Sequence, residues 1–391
     1  MYWGGKMEFQ GFERENGEVG VRNYVAVIPT VGCANEVVEE ITGRVNGCKA
    51  LLHHQGCCHI PSDLETVERV LIGWGRNPNV AAVLLVGLGC EGVSIDRVYD
   101  EISKSKKPVE KIVIQENGYR KTVEKGVETV KKLLELAKES KRENFDLSKL
   151  TIGVKCGASD TTSGIASNPA VGEVIDKIIE NGGTVIFGEI TEIIGAEHIL
   201  AKRAVSSEVS EKISSSVKEL EKKVRSLGID LRGCNPTPGN IRGGLSTIEE
   251  KSLGAIVKGG SKKIRDVLEY GEKPTSSGLY VMISPGREIE FLTGPVAGGA
   301  QMILFTTGIG APQGYPIAPV IKICGNPRTC SRLHEHIDVD VSDIITKGVS
   351  VQKAAERILE KAVSVASGEK TKAELIGYDK TVDIYIRGMI L

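Results

Sequence analysis

The chain is poor in aromatic residues, in net charge and in long apolar runs. Aromatic residues make up 4 % of its 391 residues, and none punctuate a basic segment as single-strand nucleic-acid binders require. A formal net charge of -1 argues against nucleic acid or an anionic membrane as the main partner. The longest apolar runs, such as residues 80–88, are strand-sized and too short to span a bilayer. The first thirty residues contain no basic leader followed by an apolar core, so we expect a cytoplasmic protein.

Cysteine, in contrast, is plentiful. There are nine cysteines, an odd number, and a cytoplasmic chain of this length needs no disulfide framework. Zinc sites usually pair ligands two to four residues apart, whereas Cys57 and Cys58 are adjacent and the other candidates lie tens of residues away. Neither a set of disulfides nor a zinc knuckle is therefore expected.

Apolar segments rich in Val and Ile alternate with amphipathic segments from Val19 onward. This alternation predicts the α/β class: two doubly wound, Rossmann-like domains with mainly parallel sheets and a cleft between them. We place the first domain at 1–145 and the second at 146–391, with the polar stretch 138–149 as a linker. The second domain includes a glycine-rich region, 233–260, which is too long to be an idle loop.

Four cysteines occupy the same place in this pattern, the turn that follows a strand. They are Cys33, Cys58, Cys90 and Cys156, each with a glycine nearby, and Cys324 fits more loosely. In open α/β sheets ligands bind at the carboxyl ends of the strands. Thiolates that converge from separate loops suit an iron–sulfur cluster or a thiolate-bound iron, although any single cysteine is as readily a small buried apolar residue.

Several segments of the chain are distinctive: "GVRNYVAVIPTVGCAN", "HHQGCC", "VKCGASDTTSGIASNPAVG", "NPTPGNIRGGLSTIEEKSLGAIVKGG" and "TGPVAGGAQMILFTTGIG". These and other segments resemble the altronate dehydratase family, which includes galactarate dehydratase and the large subunit of sulfolactate sulfo-lyase. The similarity spans roughly residues 11–391. Family members often carry a small amino-terminal module, of the SAF type, that we expect here on a separate polypeptide within an oligomer.

The resemblance implies a lyase large subunit. Its reaction would be a metal-dependent β-elimination, the dehydration of a sugar acid or related 2-hydroxy carboxylate to a 2-keto-3-deoxy acid. Two alternatives stay open: a C–S lyase subunit of the sulfolactate type, and a non-catalytic subunit that binds an iron cluster. A dinucleotide-dependent oxidoreductase is disfavoured, because the first strand is not followed by a Gly-x-Gly-x-x-Gly turn.

Position by position, the resemblance makes Cys33, Cys58, Cys90 and Cys156 the ligands of an iron centre and pairs His54 with Cys58. The iron would be a cluster or a mononuclear ferrous ion. A mononuclear ferrous or manganous ion held by carboxylates and His54, with the cysteines merely buried, is the simpler alternative.

The reaction also needs a base for the C2 proton, an acid for the leaving group, and contacts for a polyhydroxy acid. Many relatives have a lysine directly after "PGN", where this chain has Ile241 followed by Arg242. The predicted catalytic candidates are His54, Lys155, Asp160, Glu189, Glu192 and His198. The predicted substrate-binding residues are Ser159, Thr161, Asn240, Arg242, Lys251, Thr306 and Thr307.

Overall fold

A computed structural model describes residues 7–391 of the protein, with fourteen strands in three sheets. No helix in that range is both long and apolar enough to cross a bilayer. The strands are β1 (Glu8–Glu13), β2 (Val19–Gly20), β3 (Tyr24–Pro29), β4 (Cys48–Ala50), β5 (Val80–Gly87), β6 (Val109–Val113), β7 (Glu143–Asp146), β8 (Thr151–Gly157), β9 (Thr184–Gly188), β10 (Ile264–Leu268), β11 (Gly278–Met282), β12 (Met302–Thr307), β13 (Val320–Cys324) and β14 (Val339–Asp340).

Helices separate most of the strands. They are α1 (Asn35–Arg44), α2 (Pro61–Arg76), α3 (Ile95–Ser103), α4 (Ile114–Asn117), α5 (Tyr119–Lys138), α6 (Asn168–Glu180), α7 (Glu197–Ala201), α8 (Ser207–Ser226), α9 (Pro238–Arg242), α10 (Ile248–Ile256), α11 (Glu288–Ala297), α12 (Pro327–Arg332), α13 (Asp343–Lys347), α14 (Val351–Ala366) and α15 (Lys372–Ile376). The glycine-rich region 233–260 is thus built around α9 and α10.

The two larger sheets are entirely parallel, as the alternation of strands and helices predicts. The small sheet has the order β4-β3-β5-β6, and the large sheet has the order β10-β11-β9-β8-β12-β13-β14. Both faces of the small sheet are covered: Val25 and Val27 of β3 pack into one apolar cluster, Ala26 and Ile28 into another. Period-2 alternation sends successive side chains to opposite faces, so this is the doubly wound arrangement. The α/β class is confirmed.

The third sheet corrects one expectation. The stretch 138–149 is not a free linker, because its residues 143–146 form β7, which pairs antiparallel with β1 in the order β2-β1-β7. A polar segment is expected to be a linker only if no other strand is available to pair with it. Here β1, more than a hundred residues earlier in the chain, pairs with β7.

One apolar cluster joins the two parallel sheets. It contains Ala26 and Ile28 from β3 of the small sheet together with Ile303 and Phe305 from β12 of the large sheet. Helices α2 and α11 pack against each other inside it, and Gly73 makes this close approach possible, since a Cβ there would lie 2.3 Å from the Ala297 carbonyl oxygen. The boundary at 145 stays a prediction, but the two parts share buried surface.

Two buried asparagines add polar contacts to this junction. The Nδ2 of Asn77 donates to the carbonyl oxygens of Val296 and Ala300, at 2.8 and 2.9 Å. The Nδ2 of Asn79 donates to the carbonyl oxygens of Gln301 and Ile317, at 2.7 and 2.8 Å. These contacts satisfy backbone carbonyls that would otherwise be buried without a donor.

We expect Asn79→Ala to lower the free energy of unfolding by about 2–4 kcal/mol, because it strips donors from two buried carbonyls and an acceptor from the Val21 amide. Denaturant unfolding followed by circular dichroism measures this. The control is Asn181→Ala, an exposed residue whose side chain bonds only to the Lys177 carbonyl within its own helix end. Equal stability losses in the two variants would contradict the assignment.

Candidate active site

The carboxyl ends of β8 and β9 lie at the centre of the large sheet. β8 and β12 are neighbours, but the chain continues from β8 to β9 on one side and from β12 to β13 on the other. In open parallel sheets such a reversal of strand order opens a crevice where ligands bind. Lys155 and Cys156 are near the end of β8, and Glu189 follows β9 directly. Three of the chemically interesting residues therefore meet at this crevice.

A cavity of about 400 Å³ opens above these strand ends; we call it the Lys155 cavity. Its floor comes from the end of β8 and the turn after it, and its walls come from the glycine-rich region and the start of α11. Its lining residues are Lys155, Cys156, Gly157, Ala158, Ser159, Thr191, Glu192, Asn235, Thr237, Asn240, Lys251, Gly286, Arg287 and Glu288.

A buried ionic network lies beneath the cavity. Glu189 is fully buried, its Oε2 is bonded to the Lys155 ammonium, and its Oε1 lies 2.8 Å from the Lys258 Nζ. Lys258 also pairs with Glu192, at 2.8 Å. The backbone of Glu189 has φ = 73°, a left-handed conformation that is strained for a residue with a side chain. Buried charges persist only when paired in this way, and removing one partner is costly.

The network extends to the cavity wall through Lys251. Its Nζ lies 3.7 Å from the Glu192 Oε1, 3.0 Å from the Asn235 Oδ1 and 3.3 Å from the Asn240 Oδ1. Among the charged lining residues, three cations face two carboxylates, which leaves the cavity lining with a net positive charge; they are Lys155, Lys251, Arg287, Glu192 and Glu288. This wall suits an anionic ligand.

Burial and the neighbouring charges shift the pKa values of the network. Burial alone would raise the pKa of Glu192, but Lys258, Lys155 and Lys251 outweigh it and lower that pKa to about 2. For Glu189, burial and the charge of Glu192 raise the pKa against the pull of the two lysines. Burial would lower the pKa of Lys258, but the two carboxylates raise it above its ordinary value.

Lys155 is held rather than free. Its Nζ donates to Glu189, to the Cys156 carbonyl at 2.7 Å and to the Gly286 carbonyl at 3.1 Å, which uses the three donors of an ammonium group. Burial lowers its pKa and the charge of Glu189 more than restores it, so the net shift is upward. As arranged, Lys155 is a fixed cation and positions Glu189.

The short helix α9 forms one wall of the cavity. Thr237 caps it reciprocally with Asn240, whose Nδ2 reaches back to the Ser159 carbonyl at 2.8 Å. Ser159 itself lies with its Oγ 2.8 Å from the Cys156 Sγ. The predicted substrate-binding residues Ser159, Asn240 and Lys251 are therefore brought together at one cavity.

His54 approaches this cavity from the small sheet. Its side chain is exposed and its Nδ1 lies 3.5 Å from the Asp383 Oδ1, while the other carboxylate oxygen of Asp383 lies 3.1 Å from Arg287. Arg287 lines the cavity. The histidine predicted from the cysteine-rich stretch is thus linked to the rim of the Lys155 cavity through one carboxylate.

Three of the four predicted metal-ligating cysteines share one sheet edge. Cys33, Cys58 and Cys90 are exposed on the loops that follow β3, β4 and β5. These loops are packed tightly: the Gly92 amide donates to the Gly56 carbonyl, and a Cβ at Gly56 would lie 2.4 Å from the Thr30 carbonyl oxygen. Gly56 also has φ = 113°, which favours glycine.

Cys156 belongs to a different environment. It is buried, ends a strand of the large sheet, and contacts Ser159 and Asn168. Within residues 7–391, no three His, Cys, Asp or Glu side chains form a group that could hold a metal ion. The four cysteines as arranged are not grouped to hold a metal ion, so the iron centre stays a prediction and we derive no step through it.

The remaining predicted residues lie elsewhere. Asp160 and Arg242 line a second cavity, on the other side of α9. Thr306 and Thr307 are fully buried and bond within the protein, to Asn168 and to the Gly310 amide. Two more line neither cavity: Thr161, which donates to the Gly243 carbonyl, and the exposed His198 on α7.

Several residues of the site were not among the sequence candidates, and they include Lys258, Arg287 and Asp383. Lys258 lies in "AIVKGG", where an apolar run that ends in a lysine and two glycines is typical of an exposed helix end. Its complete burial depends on carboxylates that are about seventy residues earlier in the chain. The resemblance in this segment was the one available signal.

Comparisons with known proteins identify the family of the chain. The model of the carboxyl-terminal domain of D-galactarate/altronate dehydratases matches residues 147–388, and that of the second domain of D-galactarate dehydratase/altronate hydrolase matches residues 11–138.

Among curated proteins, the chain is 40% identical to the (2R)-sulfolactate sulfo-lyase subunit beta of Chromohalobacter salexigens over 96% of both chains. It is 34% identical to altronate dehydratase of Bacillus subtilis, over 98% of this chain and 78% of that protein. It is 31% identical to the L-threo-forming galactarate dehydratase of Escherichia coli, over 93% and 73% respectively. The chain thus has a cavity that favours anions at the switch point of a parallel sheet, and it matches both domain models and these relatives. It therefore belongs to the D-galactarate/altronate dehydratase family of lyases.

Proposed function

We propose that the chain catalyses a β-elimination from a 2-hydroxy carboxylate, the dehydration of a sugar acid to a 2-keto-3-deoxy acid. The C2 proton goes to a base, its electron pair forms the C2–C3 double bond, and the C3 hydroxyl leaves with a proton as water. The resulting enol tautomerises to the 2-keto acid. The observation that carries this proposal is the positive, amide-lined wall around Lys251 in a cavity of a dehydratase-family chain.

The substrate carboxylate would bind Lys251. The ammonium is on the cavity wall, and its nearest acceptors, Asn235 and Asn240, are neutral amides. Hydroxyl groups of the substrate find donors and acceptors in Ser159 and Thr191, which line the same cavity. Proton removal next to a carboxylate builds negative charge on that carboxylate, so a fixed cation stabilises the transition state more than the ground state.

We assign proton transfer to His54. Glu192 is a poor base because its lowered pKa means that it holds a proton weakly. Lys155 is not available for proton transfer because its ammonium group already donates to three acceptors. The imidazole of His54 is exposed and is linked through Asp383 to Arg287, which lines the cavity. An imidazole ring has one nitrogen that can donate and one that can accept, which suits it to accept and return a proton.

A second candidate is elimination of sulfite from a sulfolactate. It is favoured by one observation: the sulfo-lyase subunit matches this chain over 96% of both lengths, whereas the dehydratases extend beyond the match. The same relative is named as a subunit, so we propose that a separate small subunit completes the enzyme. The C2 chemistry is identical, and only the bond broken at C3 differs.

We expect Lys251→Met to raise KM for the productive substrate at least ~10-fold, because a charge-assisted contact to the carboxylate is lost. The assay measures 2-keto acid formation from altronate, galactarate and (2R)-sulfolactate, with sulfite release scored separately. The matched control is Lys262→Met, which removes a partly exposed lysine paired with Glu180 at 2.7 Å. An unchanged KM in Lys251→Met would contradict the carboxylate assignment. No turnover of any of the three by the chain assembled with its small subunit would overturn the proposed substrate class.

The buried network predicts a pH dependence of stability. Glu192 has a lowered pKa, so its contribution is present above its ordinary value of 4.5 and is lost as pH falls toward about 2. Lys258 has a raised pKa, so its contribution is present below its ordinary value of 10.5 and is lost as pH rises above it.

Lys258→Met should cost about 3–5 kcal/mol at pH 7, because Glu192 loses its 2.8 Å buried cation and Glu189 keeps only Lys155 of its two. The loss should shrink as pH falls, since the carboxylates then protonate more readily than in the native protein. Thermal unfolding from pH 4 to pH 8 measures this. Lys262→Met should cost less than about 1 kcal/mol at every pH. A pH-independent loss in Lys258→Met would contradict the pairing.

Thiol reactivity tests the predicted iron centre. We expect the exposed thiols of Cys33, Cys58, Cys90 and Cys234 to react rapidly with a chromogenic disulfide, and Cys156 to react only on unfolding. Mass mapping of the labelled peptides under anaerobic conditions reads this out. A thiolate iron site requires ferrous iron to protect the first three thiols and not Cys234; equal labelling with and without ferrous iron would exclude it.

A further inference from the structure

The second cavity, on the far side of α9, carries an unexplained concentration of positive charge. It has a volume of about 400 Å³, and we call it the arginine cavity. Arg242 projects from the end of α9, and Arg328 and Arg332 come from α12. It is separated from the Lys155 cavity by α9, whose Asn240 faces the Lys155 cavity while Gly239 and Arg242 line this one.

The three guanidinium groups have no counter-ion in the described part of the chain. Many other arginines in that part of the chain form hydrogen bonds or ion pairs through their side chains. The side chains of Arg242, Arg328 and Arg332 form none there. Since Arg328 and Arg332 are four residues apart on one helix, they face the same side and repel each other. Three unpaired cations around one concavity raise the local concentration of anions.

Asp160 is the one acid among the described residues that line this cavity, and its carboxylate is already engaged. Its Oδ1 accepts from the Thr162 hydroxyl at 2.6 Å and from the Ser163 amide at 3.1 Å. Its Oδ2 accepts from the Asn326 Nδ2 at 2.7 Å. The Asp160 carboxylate therefore accepts hydrogen bonds from polar neighbours and forms no ion pair with the arginines.

The walls of the cavity are fixed in place. Asn326 caps α12 through the Arg328 and Thr329 amides while its Nδ2 holds Asp160, so α12 is tied to the turn after β8. Gly308 is essential to this contact, since a Cβ there would lie 2.0 Å from the Asp160 Oδ1. A preorganised wall spares the ligand part of the ordering cost of binding.

We propose that the arginine cavity is an anion-binding site, distinct from the Lys155 cavity, for a small oxyanion with two or more negative charges. Guanidinium groups bind planar or tetrahedral oxyanions through paired N–H donors. The three positive charges of the arginines exceed the single negative charge of a ligand with one carboxylate. The ligand is an inorganic oxyanion such as phosphate or sulfate, or a dicarboxylate hydroxy acid, since both present the same oxygens.

Isothermal titration calorimetry of the whole chain at low ionic strength tests the site, with inorganic phosphate, sulfate and galactarate as separate probes. We expect saturable binding of at least one probe, and a dissociation constant at least ~10-fold weaker in both Arg328→Ala and Arg332→Ala. Arg265→Ala is the matched control, an exposed arginine on the edge strand β10. Thermal unfolding of each variant without ligand checks that the fold is retained.

The probes separate the two sources of the anion. Binding of phosphate or sulfate that depends on Arg328 and Arg332 assigns an inorganic oxyanion, whereas galactarate binding with the same dependence assigns a dicarboxylate. Galactarate binding that responds to Lys251→Met but to neither arginine variant belongs to the Lys155 cavity and counts against the proposal. Absence of saturable binding by all three probes, or equal affinities in the arginine variants and the native chain, overturns it.

Discussion

The pairing of the Glu189 carboxylate with two lysines is the interaction on which the rest of the site depends. No solvent reaches this carboxylate, so its charge has to be balanced within the protein. Lys155 comes from β8, Glu189 from the end of β9, and Lys258 from the glycine-rich region. The three segments are therefore tied by charge at one point, and the wall that carries Lys251 is placed over the sheet edge as a consequence.

The place in the fold where these charged residues meet could be predicted from the sequence, but the full set of residues that meet there could not. The alternation of apolar and polar segments predicts where parallel strands end, and this rule is sufficient to single out Lys155 and Glu189. Lys258 follows an apolar helical run and precedes two glycines, which is the pattern of an exposed helix end. Only the fold shows that this lysine turns inward, because the carboxylates that stabilise it are remote in sequence.

The cysteines illustrate the limit of the same rule. Cys33, Cys58 and Cys90 follow strands, as predicted, whereas Cys156 lies within β8, one residue before its end. Periodicity also does not indicate which sheet a strand joins. Cys33, Cys58 and Cys90 are at the edge of the small sheet, whereas Cys156 is at the edge of the large sheet and is buried. Cysteines at similar positions in the sequence pattern therefore lie at the ends of strands that belong to different sheets. The stretch 138–149 failed as a linker for a similar reason, since strand pairing between β1 and β7 is non-local.

This pairing of β1 with β7 has a consequence for biosynthesis. Gly11 pairs with Glu143, so the first strand leaves the ribosome long before its partner has been synthesised. Meanwhile the strands of the small sheet, which lie between them in the chain, can pair with one another. The antiparallel sheet must therefore close after the small sheet has emerged, and until then the edge of β1 is open to pairing with other chains. Its short length and the glutamates at both of its ends limit that hazard during translation.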